Sequence, residues 1–153
     1  MAQERTARAR YRSLAIRRES VLKRARAYAA LTIPTLMPPE GYTDFQHLPE
    51  PHQGFGARLV TSLASKMTSA LMPPGKPWFE LKVPPEVLLA NGEQSAPDDV
   101  LRGLAISENV ITAETERKRW RQPTYVALLQ LIVTGNALEE MLPDNTIDRK
   151  SVV

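Results

Sequence analysis

Proline placement constrains this chain more than any other feature. Thirteen of its 153 residues are proline, and most of them lie from Pro34 to Pro85. A proline inside a helix removes a backbone donor and clashes with the preceding turn, so that region cannot be one long helix. The flanks, 1–33 and 98–142, hold only Pro123 between them and are free to be helical. The chain should therefore be helix, broken middle, helix. Its length falls within the usual range for one domain.

Thr6 to Leu31 reads as the first helix. Tyr11, Leu14, Ala15, Val21, Leu22, Ala25, Tyr28 and Ala29 recur at three- and four-residue steps, and Pro34 follows as a stop. Thr32 to Phe55 reads as an irregular, turn-rich connector anchored by Leu36, Tyr42, Phe45 and Leu48. Ala57 to Leu71 is the clearest helix. Leu59, Val60, Leu63, Ala64, Met67, Ala70 and Leu71 follow the 3.6-residue period closely, and Ser62, Ser65, Thr68 and Ser69 are small enough for another helix to come close. Pro73-Pro74-Gly75 ends it.

Trp78 to Val83 alternates, with Trp78, Glu80 and Lys82 opposite Phe79, Leu81 and Val83, and predicts a strand. Residues 90–97 read as loop. Asp98 or Asp99 is placed to cap a helix that runs to about Arg119, with Val100, Leu101, Leu104, Val110 and Ile111 inward. A last helix starts near Pro123, is apolar almost all round, and stops at Gly135-Asn136. Such a helix should be buried. The fold class is mainly α with a small β element.

Charge is divided unevenly. Residues 1–30 hold nine Lys/Arg against two Glu, whereas the rest holds eleven against fifteen Asp/Glu. A basic helical arm on a slightly acidic body suits an anionic partner. Arg8, Arg12, Arg17, Arg18, Lys23 and Arg24 are the candidate contacts, either with DNA or with another subunit; a plain solvated face is the simplest reading of the same residues.

Catalytic patterns are absent. The chain has no cysteine, hence no disulfide framework and no thiolate metal site. "GFGARL" has Leu59 where a dinucleotide loop needs its third glycine. His47 and His52 are the only histidines and sit in a proline-rich loop. The acidic pairs Asp98-Asp99, Glu114/Glu116 and Glu139-Glu140 show no convergence of the kind acid–base chemistry requires. No cofactor, metal, small-molecule substrate or enzyme activity is expected. The longest uncharged run, Gln122 to Leu138, is interrupted by proline and glycine and is too short to span a membrane.

Three stretches together resemble the N-terminal part of the portal, or head-to-tail connector, proteins of short-tailed bacteriophages: "YAALTIPTLMP" (Tyr28–Pro38), "GFGARLVTSLASKMTSALMPPGKPWFEL" (Gly54–Leu81) and "PTYVALLQLIVTGNAL" (Pro123–Leu138). They come in that family's order and at roughly its spacing, and the resemblance spans about 5–143. The family-motif positions are Pro34, Gly56, Arg58, Lys66, Trp78, Gly135 and Asn136.

The resemblance implies a wing-like outer region of a subunit in a homo-oligomeric ring, a dodecamer in that family, at one vertex of the virion capsid. It also implies partners: capsid and scaffold proteins, tail proteins, the terminase motor, and double-stranded DNA passing through the channel. Two departures stand out. Family members are several times longer, and "ALEEMLPD" carries Glu139 and Glu140 where the family continues into an apolar strand. The expected organisation is 1–147 as an incomplete portal wing region and 148–153 as a non-native tail without structure. The competing reading is a small, self-contained, basic nucleic-acid-binding module.

Overall fold

The computed structural model describes residues 6–43, 45–92 and 95–150. Among the described residues five helices, a single 3-10 turn and one hairpin follow in chain order: α1 (Ala7–Leu31), the 3-10 turn (Pro34–Leu36), α2 (Phe55–Leu71), α3 (Pro85–Ala90), α4 (Asp98–Arg117), α5 (Arg121–Thr134), β1 (Leu138–Met141) and β2 (Ile147–Lys150). The mainly helical class with a small β element is what the sequence leads one to expect, but the β element lies elsewhere in the chain.

α1 starts where Thr6 turns its hydroxyl to accept from the Ala9 amide and ends at Thr32, two residues before Pro34. Pro34 then opens the 3-10 turn, since its fixed φ suits a first helical position. The core forms around this bend. Ala25 and Ala29 of α1, Met37, Val60 of α2 and Val133 of α5 are buried together, with Leu22, Ile33, Leu36, Leu129 and Ile132 packed against them.

Small residues set the spacing of this core. Ala29 and Ala64 are fully buried. A Cβ on Gly56 would lie 3.1 Å from the Leu31 carbonyl oxygen and 3.1 Å from Thr32 Cγ2. Gly56 is thus where the start of α2 meets the end of α1, backbone against backbone.

α2 buries Val60, Ala64 and Thr68, one per turn, against α5. Thr68 is compatible with burial because its hydroxyl donates to the Ala64 carbonyl, at 2.8 Å. Ser62, Ser65 and Ser69 remain exposed, as do Leu59 and Leu63. The close approach therefore runs through alanine and threonine, not the serines, and only one of the helix's two apolar stripes is covered.

Trp78 to Val83 is not a strand. Its alternation is real, since Phe79, Leu81 and Val83 are half-buried and Trp78, Glu80 and Lys82 exposed. Among the described residues no second strand lies beside it; the Leu81 amide instead donates to Glu108 Oε1 on α4, at 2.6 Å. Period-two sidedness shows which side chains face inward, and a ladder still needs a neighbouring strand.

Neither Asp98 nor Asp99 caps α4. Pro97 occupies the cap position, and both carboxylates sit in the first turn, at the positive end of the helix dipole. α4 closes at Arg117 in a tight corner. Lys118 is followed by Arg119 at φ +56°, the Arg119 amide donates to Glu116 O at 3.0 Å, and the Trp120 amide to Thr115 O at 3.2 Å. This is a Schellman closure with arginine at its left-handed position.

α5 begins two residues before Pro123 and buries Ala127, Leu128, Gln130 and Val133. It ends at Gly135, φ +73°, where the glycine amide donates to Leu131 O at 2.8 Å.

The hairpin after α5 is an addition to the expected fold. β1 and β2 pair antiparallel in the register Leu138↔Lys150 to Met141↔Ile147. Leu142 and Asn145 close a turn through Pro143 and Asp144, and Asn145 takes φ +60°. That is the three-residue hairpin connection in which a type I turn precedes one left-handed residue. The expectation that 148–153 lacks structure fails at 148–150, whose backbone pairs with β1; 151–153 lie outside the described residues. β1 forms despite Glu139 and Glu140, because all four of its side chains are exposed and water can solvate the carboxylates.

Candidate assembly surface

The chain leaves an unusual amount of apolar surface uncovered. Its accessible area is 11997 Å², whereas a compact monomer of 17.1 kDa would expose about 7,800 Å². The difference is about 4,200 Å², polar and apolar surface together, and the exposed large apolar side chains cluster in a few places.

α4 is one of them. Val100, Leu101, Ile106, Val110 and Ile111 are all exposed, Val110 at 63%. The sequence pattern placed Val100, Leu101, Leu104, Val110 and Ile111 inward; only Leu104 is even half-buried. The side of α4 that does face the protein carries Thr112 and Thr115, whose hydroxyls donate to carbonyls of their own helix. The apolar stripe thus points outward.

The first half of α1 is the second. From Ala7 to Val21 every residue is exposed, including Tyr11, Leu14 and Ile16. The stripe expected to be core becomes core only from Leu22 onward, where α5 and the 3-10 turn reach it. The exposed stripe of α2, Phe55, Leu59, Leu63 and Leu71, is the third.

The candidate basic contacts divide along the same line. Arg8, Arg12 and Arg17 stand on the bare half of α1, surrounded by solvent. Arg18 and Arg24 approach the body. Arg18 lines a cleft of about 230 Å³ with Leu22, Met37, Thr134 and Asn136. Arg24 lines another of about 260 Å³ with Tyr28, Val133 and Gly135. Lys23 is exposed between them. Arg26, not among the candidates, bonds Glu40 at 2.9 Å and ties α1 to the proline-rich connector.

The family-motif positions also separate. Pro34 and Gly56 belong to the bend that joins α1 to α2, and Gly135 and Asn136 close α5 beside α1. Thr134 fixes that end by donating its hydroxyl to Asn136 O, at 2.8 Å. Arg58 and Lys66 are exposed on α2. Trp78 is exposed and meets Phe79 edge-on, ring centroids 5.2 Å apart. The structure therefore assembles Pro34, Gly56, Gly135 and Asn136 into the core's framework and leaves Arg58, Lys66 and Trp78 outside it.

Two elements escape the sequence reading altogether. Lys118 Nζ donates to Asp144 O at 2.6 Å and Trp120 Nε1 to Asn145 O at 2.7 Å, so the α4–α5 corner grips the hairpin turn. Asp144 in turn accepts from the Thr146 hydroxyl and amide, and these bonds hold its carboxyl below its ordinary pKa. The run Leu142-Pro143-Asp144-Asn145-Thr146 carried the turn signal, with proline second and asparagine at the left-handed position.

Among the described residues no group of three or more His, Asp or Glu is placed to hold a metal. Among the described residues no helix is long and apolar enough to cross a membrane. His47 and His52 are both exposed.

What the molecule offers is thus surface: bare helix faces on a small, well-made core. Residues 4–151 match the family model described as bacteriophage head to tail connecting protein. The portal protein of Enterobacteria phage T3 is 35% identical over 133 residues, 86% of this chain and 25% of the relative. That of Escherichia phage T7 is 36% identical over 121 residues, 75% of this chain and 22% of the relative. That of Enterobacteria phage SP6 is 30% identical over 128 residues, 80% and 24%. The chain spans about a quarter of the length of these curated relatives. It belongs to the bacteriophage head-to-tail connecting protein family.

Proposed function

We propose that this chain is the outer, wing-like part of a portal subunit, a structural component of the virion that works as a ring of identical copies at one capsid vertex. In that role the ring, a dodecamer, nucleates capsid assembly with the scaffold, docks the terminase motor, passes double-stranded DNA in both directions and holds the tail. It is a passive conduit; ATP hydrolysis belongs to the motor. Assembly takes place in the host cytoplasm.

The observation that carries this reading is the uncovered apolar area. A closed ring is built from heterologous contacts, so each copy presents two different, complementary faces. Obligate interfaces bury 2,000–5,000 Å² or more in total. The total excess of about 4,200 Å², polar and apolar together, is of that order, and the exposed apolar side chains of α1, α2 and α4 mark where cover is missing. The outward stripes of α4 and α2 and the bare half of α1 are three separate apolar faces, enough for two neighbours and the rest of the subunit.

Calorimetry and DNA titration of the purified chain test this against the nucleic-acid-module reading. A self-contained domain melts with about 0.7 kcal/mol of enthalpy per residue. The portal reading predicts an enthalpy well short of that, together with a shallow salt dependence of duplex binding. Full enthalpy with a steep salt slope, of the kind produced by six or more phosphate contacts, would contradict it.

A further inference from the structure

The corner between α4 and α5 carries a feature that assembly does not explain. The run Glu116 to Arg121, "ERKRWR", is almost wholly committed to structure. Arg117 pairs with Glu114 at 2.7 Å. Lys118 and Trp120 hold the hairpin turn. Arg121 pairs with Glu116. Arg119 is the exception: among the described residues its guanidinium has no ion pair.

Its backbone is also the least comfortable in the corner. At φ +56° it occupies the position that a Schellman closure normally gives to glycine. Left-handed backbone is costly for a residue with a Cβ. Strained residues persist where something else requires them, and the inference runs from the observed strain to a role for the side chain.

Arg119 lines a shallow cleft of about 480 Å³, largely open to solvent, together with Ser65, Thr68, Ser69, Glu116, Arg121, Gln122 and Tyr125. Thr68 is buried and its hydroxyl is already used within α2. Ser65 and Ser69 are exposed one turn apart on α2 and offer hydroxyls from the opposite wall. The Glu116 carboxylate is engaged by Arg121, which lessens its repulsion of an anion. Arginine, serine, glutamine and tyrosine are the side chains that contact nucleic-acid phosphates, and a guanidinium can grip a phosphate with two parallel bonds.

We propose that this cleft binds a phosphate group, with Arg119 as its principal ligand and Ser65, Ser69 and Gln122 as supporting donors. The phosphate is either one link of a nucleic-acid backbone or a free phosphate ion. The site stands apart from the ring reading, since it uses a polar wall of α2 and the corner rather than the uncovered apolar faces.

The test compares the full chain with Arg119→Gly, and with Arg119→Asn as a second variant that also tolerates left-handed backbone. Three readouts are taken: the thermal midpoint, the midpoint shift with inorganic phosphate, and anisotropy of a labelled 20-base-pair duplex across a salt series. Without ligand, Arg119→Gly should raise the midpoint by about 2 °C as strain is relieved.

If the source is nucleic acid, both variants bind the duplex about five- to tenfold more weakly and the logarithmic salt slope falls by about one. If the source is free phosphate, millimolar phosphate raises the midpoint of the unaltered chain but not of either variant, and duplex binding is unchanged. Absence of both effects overturns the site. A fall in the midpoint of Arg119→Gly without ligand overturns it too, because the arginine would then be serving the fold.

Discussion

α5 and α4 are neighbours in sequence, joined by three residues, yet they have opposite fates. α5 meets α2 along one side and α1 along another, and it buries Ala127, Leu128, Gln130 and Val133 within 14 residues. α4 is longer, at 20 residues, and buries only Thr112 and Thr115. α5 is apolar almost all round and α4 along one stripe only, so patterning favours deeper burial for α5; it does not foretell that the stripe of α4 stays bare. Proximity decides that: the close packing that Gly56, Ala29 and Ala64 permit draws α1, α2 and α5 together, and the apolar stripe of α4 is left exposed. An apolar stripe says that a helix wants cover. It does not say whether the cover comes from the same molecule.

The largest effect expected from this contrast is in the core. Leu128→Ala, on the buried side of α5, should cost about 2–5 kcal/mol of stability. Ile106→Ala, on bare α4, should change it by less than about 0.5 kcal/mol. Urea denaturation of both variants checks the pair. Equal losses would mean that α4 is covered after all.

Next comes the close approach itself. Gly56→Ala places a Cβ against a backbone carbonyl that cannot rotate away, and should destabilise by about 1–3 kcal/mol despite alanine's better helix propensity. A more stable Gly56→Ala protein would show that α1 and α2 have room to spare.

Gly135→Val should cost about 1–2 kcal/mol, because a β-branched residue is poorly accommodated at φ +73°. An unchanged thermal midpoint would mean that α5 does not end in left-handed backbone.

The smallest effect concerns the hairpin. Asp144 has a lowered pKa in the folded chain, so its bonds to Thr146 add stability above the ordinary carboxylate pKa, and that stability is lost as pH falls through the lowered value. Asp144→Ala should therefore melt below the unaltered chain at neutral pH, with the gap narrowing on acidification. A gap independent of pH would assign the effect to something other than the carboxylate.

Much of the helical framework was readable in the residues. Pro34 and Gly135 mark helix ends by stereochemistry that context rarely overrides, and both hold. The sidedness of 78–83 was readable too, since alternation reports burial; its pairing was not, because a strand depends on a partner the local sequence does not name. α3 was hidden by its six-residue length, and the hairpin by the charge of Glu139 and Glu140, which suggested solvated chain rather than an exposed strand. At the candidate surface, the arginines of α1 were visible as charge, but which of them approach α5 depended on where Ala25 and Ala29 seat. Arg119 was invisible for a sharper reason: arginine is not the residue one expects where glycine fits best.

Hydrogen exchange on the isolated chain, followed by the same measurement on the assembled full-length protein, tests most directly whether α4 and the first half of α1 are unfinished surfaces. Most of a helix's stability in a protein comes from packing of its apolar face against other elements. In the isolated chain, amides of Ala25–Leu31, Val60–Thr68 and Leu128–Val133 should be protected, while those of 7–21 and 100–111 exchange rapidly and become slow only on assembly. Equal, strong protection of α4 and α5 in the isolated chain would contradict the account.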